Sequence, residues 1–230
     1  MTNMRRSEVF KASIVTTIPV FLGYMAIGMA FGFMLVSAGY SWLLAPLMSI
    51  VIYAGACQYV AVPMFASNAA FSDIVIVTLL VNSRHAVYGL SLFGKFKNAG
   101  IKKYYMIFGL TDETYSILTT VEPPKGADPS LFYFFITLLD HFYWVLGGTI
   151  GAILVNIFRF DTKGVEFALT ALFIVLMIEQ FKNSRSKIPF VIAAIAAPAA
   201  LIFTGPGNML IISIVISIAI LIVLRRIIEK

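Results

Sequence analysis

Residues 79–92, LLVNSRHAVYGLSL, decide how this chain folds. Three polar side chains, Asn82, Arg84 and His85, lie in the middle of this stretch. The apolar run around them extends from residue 74 to residue 93. A charged side chain at membrane depth costs at least about 2.5 to 3.5 kcal/mol, so such residues normally face a bundle interior, a partner or a water-filled path. The stretch therefore predicts a membrane-spanning helix with a functional centre.

The composition agrees with an integral membrane protein. Of the 230 residues, 60% are hydrophobic and only 12% are charged, whereas about a quarter are charged in a soluble domain. We predict an all-α, polytopic transmembrane helical bundle with about eight hydrophobic segments, each long enough to cross the bilayer. These segments should form a single integral membrane domain over residues 1–230. The predicted segments are 14–37, 42–65, 74–93, 104–121, 131–157, 165–181, 188–203 and 209–224.

The basic residues indicate membrane topology and do not indicate nucleic-acid binding. The net charge is +6, but most of the 17 Lys and Arg residues lie in short segments beside apolar helices. Basic residues in such positions face the cytoplasm, and both termini are predicted to lie there. The first helix is expected to be retained and not cleaved as a signal peptide. Cys57 is the single cysteine, so we expect no intramolecular disulfide and no cysteine-based metal site. We also expect no other metal site and no cofactor.

Segment 2 contains the run YAGACQ, residues 53–58, in which small residues precede Gln58. Such a run can unwind a helix where the freed backbone groups line a cavity. The alternative is an intact, packed helix in which Gln58 bonds to a neighbour. Both readings of segment 2 stay open at this point.

Segment 4 carries two adjacent acids, Asp112 and Glu113, near its predicted centre. They cannot both be ionised and face lipid, so they should pair with Arg84, hold a proton or meet a cationic substrate group. Successive residues of a helix diverge by about 100°, so the two acids need not share a partner. Segment 5 adds Asp140 and Trp144 on one helix face, although Trp144 also suits a membrane interface.

The second half of the chain repeats features of the first. Residues 28–36, GMAFGFMLV, align without gaps to residues 147–155, GGTIGAILV. Internal repeats are the common plan of secondary transporters. We therefore predict an inverted repeat of halves 14–121 and 131–226, with interrupted or re-entrant segments 2 and 6; eight full crossings are the alternative. The glycines predicted to mediate helix packing are Gly28, Gly32, Gly147 and Gly151.

The chain resembles the AzlC family, also known as the YgaZ type, which provides the larger subunit of branched-chain amino-acid exporters. The resemblance implies export of leucine, isoleucine, valine and analogues, a small membrane partner of the AzlD or YgaH type, and the bacterial cytoplasmic (inner) membrane. The family's Asn-Leu-Arg-His-like core appears here as Asn82-Ser83-Arg84-His85. The stretches that carry the resemblance are Gly28 with Gly32, YAGACQY at 53–59, VNSRHAVYGLSL at 81–92, LTDETY at 110–115 and FALTALF at 167–173.

A branched-chain amino acid is a zwitterion with an apolar tail, so its site needs an acceptor, a donor and an apolar pocket. Asp112 or Glu113 is expected to receive the ammonium group. Arg84, or backbone N–H groups of an interrupted helix, is expected to receive the carboxylate. Neutral hydrogen bonds and aromatic contacts would complete the site. The side chains predicted for these roles are Gln58, Asn82, Phe31, Phe33 and Tyr53.

The predicted mechanism is alternating access, in which one half rocks against the other while a proton moves inward as substrate leaves. The titratable groups in apolar helices motivate this hypothesis. The chain has no Walker A sequence, so direct use of ATP would need another chain. The candidates for carrying the proton are His85, Asp112, Glu113 and Asp140.

Other classes of protein fit the sequence less well. An intramembrane enzyme could use Ser83, His85 and Asp112 as a triad, but Ser83 and His85 point to different faces of a helix. No HExxH motif occurs, which disfavours a metal hydrolase. We therefore do not expect an enzyme. A structural subunit without its own transport path and a channel remain alternatives.

Overall fold

The computed structural model describes residues 4–158, 174, 177–178, 181–182, 186–205 and 209–228. Within these ranges the elements are helices and no strand is present. The chain divides into two compact units, Met1–Val165 and Glu166–Lys230. Most of predicted segment 6, including Gln180, lies outside the described residues.

Seven helices occupy the described part of the first unit, and two occupy that of the second. Three of them (α1, α4 and α7) are long and apolar enough to cross a membrane, as an integral membrane protein requires. In the second unit α8 packs against α9. The helices are α1 (Arg6–Ser37), α2 (Leu44–Val51), α3 (Gly55–Ala66), α4 (Phe71–Phe96), α5 (Lys102–Phe108), α6 (Asp112–Thr120), α7 (Pro129–Phe158), α8 (Ile188–Thr204) and α9 (Met209–Ile228).

Helices α1 and α7 form the most extensive helix pair of the first unit. A Cβ atom added to Gly32 would overlap the backbone carbonyl of Gly148, and one added to Gly151 would overlap the backbone of Met29. Small residues allow this approach because no side chain separates the two backbones. All four glycines predicted to mediate packing (Gly28, Gly32, Gly147 and Gly151) lie at this contact.

Predicted segment 2 is interrupted. Helix α2 ends at Val51 and α3 begins at Gly55. Between them Tyr53 has a φ of 42°, in the left-handed region that residues other than glycine adopt infrequently. The ring of Tyr53 stacks on that of His141 with 4.1 Å between centroids. The interruption expected from the YAGACQ run is therefore present in the structure.

The prediction of one continuous helix over residues 104–121 is wrong, because a short non-helical turn separates α5 from α6. Thr111 ends the turn as the N-cap of α6, and its Oγ1 accepts a hydrogen bond from the Thr114 N–H at 3.2 Å. Such a cap stabilises a helix start by about 1 kcal/mol. Asp112 and Glu113 occupy the first turn, where negative charge suits the helix dipole. The acids therefore begin a helix and do not lie at its centre.

Helix α1 begins at Arg6, earlier than the predicted residue 14. Its first turn is polar, and Arg5 forms an exposed ion pair with Glu8 at 2.9 Å. Hydropathy alone therefore predicts the apolar part of this helix but not its polar start.

The substitution G32A is expected to destabilise the protein by about 1 to 3 kcal/mol, because its Cβ has no space against α7. The matched control is G23A on the same helix, where a Cβ meets nothing within 4 Å. G23A should be neutral or stabilising by up to about 1 kcal/mol. Thermal unfolding of the purified protein in detergent measures both, and equal melting temperatures for the two variants would contradict the packing described.

Candidate functional site

Side chains from α1, α6 and α7 form one continuous chain of hydrogen bonds. Tyr24 Oη lies 2.8 Å from Glu113 Oε2 and 2.5 Å from Thr111 Oγ1. Its single proton is donated to Glu113 when that acid is ionised and to Thr111 when Glu113 is protonated. Thr111 Oγ1 donates to Thr114 Oγ1 at 3.1 Å, and Thr114 Oγ1 donates to Asp140 Oδ2 at 2.8 Å. Glu113 is exposed, whereas Thr114 and Asp140 are fully buried. The chain therefore connects the surface of the protein with its interior.

One polar atom at the buried end lacks a hydrogen-bond partner. Asp140 Oδ1 is buried and makes no hydrogen bond, whereas the buried Tyr53 hydroxyl lies against Thr114 and Tyr24. Asp140 lies close enough to Tyr53 for an electrostatic interaction between them. A buried carboxylate is costly unless it is paired, and it normally takes a proton or meets a cation. The region around Asp140 is thus suited to binding a proton or a cationic group.

Helices α4 and α6 meet through an ion pair. Arg84 Nη1 lies 2.6 Å from Asp112 Oδ2, and the two side chains are 40% and 36% exposed. Tyr88 Oη donates to Asp112 Oδ1 at 2.5 Å. Of the three arrangements left open for the acids, the structure shows Asp112 paired with Arg84. Glu113 bonds instead to Tyr24, so the neighbouring acids have different partners.

The other two predicted residues of α4 lie beside this ion pair. The ring centroid of His85 is 5.8 Å from that of Tyr88. Asn82 Oδ1 and Arg84 Nε are buried atoms without hydrogen-bond partners. One acceptor and one donor are therefore available next to the two charges.

Gln58 belongs to a separate, fully bonded group. Its Oε1 accepts from Trp144 Nε1 at 2.8 Å, and its Nε2 donates to Ser49 Oγ at 3.3 Å. His141 is bonded through Nδ1 to Tyr105 Oη at 2.8 Å and through Nε2 to the Ser49 carbonyl at 3.1 Å. Gln58 is fully buried. In this structure its amide groups bond to neighbouring side chains.

The aromatic residues predicted for a tail pocket occupy two places. Phe31 is fully buried, and its ring lies 6.3 Å from that of Trp144 and 5.9 Å from that of Tyr59. Tyr53 lies at the break between α2 and α3, against His141. Phe31 therefore packs against Trp144 and Tyr53 packs against His141, two different side chains of α7.

Sequence reasoning missed three members of the hydrogen-bonded chain: Tyr24, Thr111 and Thr114. A usable signal existed for Thr111, because Thr before an Asp-Glu pair is typical of a helix start. Tyr24 gave no signal, since 14% of the residues are aromatic and any of them can be a packing residue.

Together these observations define a polytopic α-helical membrane protein in which two interrupted segments bring polar groups against long apolar helices. The chain belongs to the AzlC family, whose model, described as AzlC protein, matches residues 19–158. This range includes every side chain of the polar groups described above. The resemblance found from the sequence is thereby confirmed.

Relatives cover most of the chain. An uncharacterized membrane protein of Helicobacter pylori strain J99 is 41% identical over 223 residues, 96% of this chain and 97% of its own. The branched-chain amino acid transport protein AzlC of Bacillus subtilis strain 168 is 36% identical over 229 residues, 98% of this chain and 90% of its own. The inner membrane protein YgaZ of Escherichia coli K12 is 27% identical over 187 residues, 78% and 76% of the two chains. No solved structure matches the chain.

The substitution Q58L is expected to destabilise the protein by about 1 to 3 kcal/mol, because the Trp144 N–H would remain buried without an acceptor. The double variant Q58L/W144F removes the donor as well, so its loss should be smaller than the sum of the single losses. A double-mutant cycle of thermal unfolding in detergent measures this coupling. Additive losses would contradict the Gln58–Trp144 bond.

Proposed function

We propose that this protein is a subunit of a secondary transporter that exports leucine, isoleucine, valine and analogues by alternating access. The observation that carries the proposal is the Arg84–Asp112 ion pair. It joins the start of α6, which follows a break, to the long apolar helix α4. Similarity to the Bacillus subtilis relative, which is named a branched-chain amino acid transport protein, supports the substrate class.

The ion pair offers what a zwitterion needs. In the proposal, the substrate carboxylate takes the place of Asp112 on Arg84, and the substrate ammonium group takes the place of Arg84 on Asp112. Both side chains are more than a third exposed, so neither is enclosed by the described helices. Exchange with a zwitterion keeps both charges paired, whereas breaking a fully buried pair without replacement costs about 3 to 5 kcal/mol.

Neighbouring atoms can hold the bound substrate in one orientation. Arg84 Nε has no partner in the structure and can join the guanidinium nitrogens in a two-point contact with a carboxylate. Asn82 Oδ1, which also lacks a partner, can accept from the ammonium group. Glu113 is a second candidate acceptor on the same helix turn. Phe31, Tyr53 and Gln58 stay proposed contacts for the remainder of the substrate.

The wider organisation of the transporter is part of the same proposal. It comprises a single integral membrane domain over residues 1–230, with inverted halves 14–121 and 131–226 and re-entrant segments 2 and 6. Both termini lie in the cytoplasm, as the basic flanking residues favour, and the membrane is the bacterial inner membrane. A small membrane subunit of the AzlD or YgaH type is the partner. Export is coupled to proton entry.

We do not propose a catalytic function. Ser83 Oγ donates to the carbonyl of Leu80 on its own helix at 2.7 Å, so it is engaged away from His85. A hydroxyl nucleophile requires an adjacent base within hydrogen-bond reach, and this arrangement does not supply one.

The proposal predicts that R84A lowers leucine transport at least about tenfold, because a charge-assisted hydrogen bond of about 1.5 to 3 kcal/mol is lost. D112N should lower it to a similar degree. The measurement is flux of labelled leucine, isoleucine and valine in proteoliposomes containing the chain with and without its small partner. Lysine, which carries a charged tail, serves as the non-substrate.

The matched control is R5A, which removes an arginine from an ion pair that is exposed at the N-terminal end of α1. R5A should transport leucine at the wild-type rate. R84A protein that still assembles with the partner but does not transport would exclude a purely structural role. Wild-type flux in both R84A and D112N would contradict the proposed substrate site.

A further inference from the structure

The chain of hydrogen bonds from Glu113 to Asp140 connects two carboxyl groups through hydroxyl groups alone. Its links are Glu113 to Tyr24 at 2.8 Å, Tyr24 to Thr111 at 2.5 Å, Thr111 to Thr114 at 3.1 Å and Thr114 to Asp140 at 2.8 Å. Three of the distances lie within the range of about 2.5 to 3.0 Å usual for O–H···O hydrogen bonds, and the Thr111–Thr114 distance is slightly longer. A hydroxyl group both donates and accepts, so each intermediate member can receive one proton while it passes on another.

The two ends of the chain differ in access to the outside. Glu113 is exposed, whereas Asp140 is 0% exposed. Asp140 Oδ1 is a buried atom without a hydrogen-bond partner, and the buried Tyr53 hydroxyl lies against Thr114 and Tyr24 of the chain. The chain is therefore an entry from an exposed acid to an enclosed acid.

In the described part of the chain, neither Glu113 nor Asp140 forms an ion pair with a basic side chain. Asp140 faces Tyr24 from α1, Tyr53 from the α2–α3 break and Glu113 from α6. His141, next to Asp140 on α7, has both ring nitrogens in hydrogen bonds. None of the described ion pairs includes Asp140 or Glu113, and Arg84 is held by Asp112.

We propose that Tyr24, Thr111 and Thr114 form a proton relay that carries one proton between Glu113 and Asp140. The proposal deepens the proposed function and rests on it only for the transport part of the test. Asp112 and Glu113 are adjacent at the start of α6. The first turn of α6 thus carries both Asp112, the acid proposed for the substrate ammonium group, and Glu113, the entry of the relay. A movement of this turn would therefore affect substrate binding and proton transfer together.

One transfer inward conserves every atom. The O–H bond of protonated Glu113 breaks as its proton binds Tyr24 Oη, and the original proton of Tyr24 passes to Thr111. The proton of Thr111 passes to Thr114, and that of Thr114 binds Asp140 Oδ2. Glu113 ends as a carboxylate, Asp140 as a carboxylic acid, and the three hydroxyls are restored. The reverse sequence returns the proton.

The test removes single hydroxyls from the relay with little change in shape, by T114V and Y24F. The matched control is T137V on α7, because Thr137 is equally buried but bonds only to the Tyr133 carbonyl of its own helix. Infrared difference spectroscopy after a pH jump follows the carboxylic-acid band of Asp140, which is identified by its loss in D140N. The protein is the full chain in lipid vesicles.

Protonation of Asp140 should slow at least about tenfold in T114V and Y24F, since proton transfer by a positioned group contributes about 10² to 10⁴ in rate. T137V should match the wild type. In proteoliposomes, the ratio of leucine flux with and without a pH gradient should fall to about one in T114V and Y24F while T137V keeps the wild-type ratio. Wild-type protonation rates in both relay variants would overturn the relay.

The two measurements separate the relay from the proposed function. If wild-type vesicles do not transport leucine but T114V and Y24F slow protonation of Asp140, the transport proposal fails and the relay is supported. If leucine transport is stimulated by the pH gradient equally in wild type, T114V and Y24F, the relay is overturned and the transport proposal stands.

Discussion

The backbone groups freed where a helix stops must find partners within a membrane protein, because lipid offers none. Two predicted membrane segments of the first unit are interrupted in this way, one after Val51 and one after Phe108. Thr111 caps the helix that follows the second break, and Tyr53 packs on His141 at the first. Thr111 also bonds to Tyr24 of α1, so the second break contacts α1 and the first contacts α7. The glycine contact between these helices brings Tyr24 of α1 and groups of α7 within reach of the broken segments.

The polar groups of the site fall into two energetic classes. The Arg84–Asp112 pair is partly exposed, and a zwitterionic substrate that replaces its two partners leaves both charges paired. The Tyr24-to-Asp140 hydrogen bonds end in a fully buried carboxyl, where an unpaired charge is expensive. The first arrangement suits reversible binding of a zwitterion, and the second suits a group that changes its proton content. The start of α6 contributes to both.

The sequence predicted the membrane class and the AzlC family, and the interruption of segment 2 was one of the two readings that it left open. These properties follow from composition and from local runs such as residues 53–58. The pairing of Arg84 with Asp112 was one of three open possibilities, since the pattern limits the partners of a buried charge without selecting one. The inverted repeat stays a prediction, because most of segment 6 lies outside the described residues.

The helix start at Asp112 could have been predicted from the preceding Thr111, but hydropathy over the whole segment obscured it. The bond between Tyr24 and Glu113 joins residues 89 positions apart, so it depends on how α1 and α6 are placed by their packing. No local pattern carries that information. Long-range hydrogen bonds of this kind require the structure.

A crystal structure of the protein with leucine bound would show which side chains hold the substrate. We expect the leucine carboxylate on Arg84 and its ammonium group on Asp112, with the direct contact of 2.6 Å between Arg84 Nη1 and Asp112 Oδ2 lost. Leucine bound elsewhere while the Arg84–Asp112 contact stays intact would contradict this expectation.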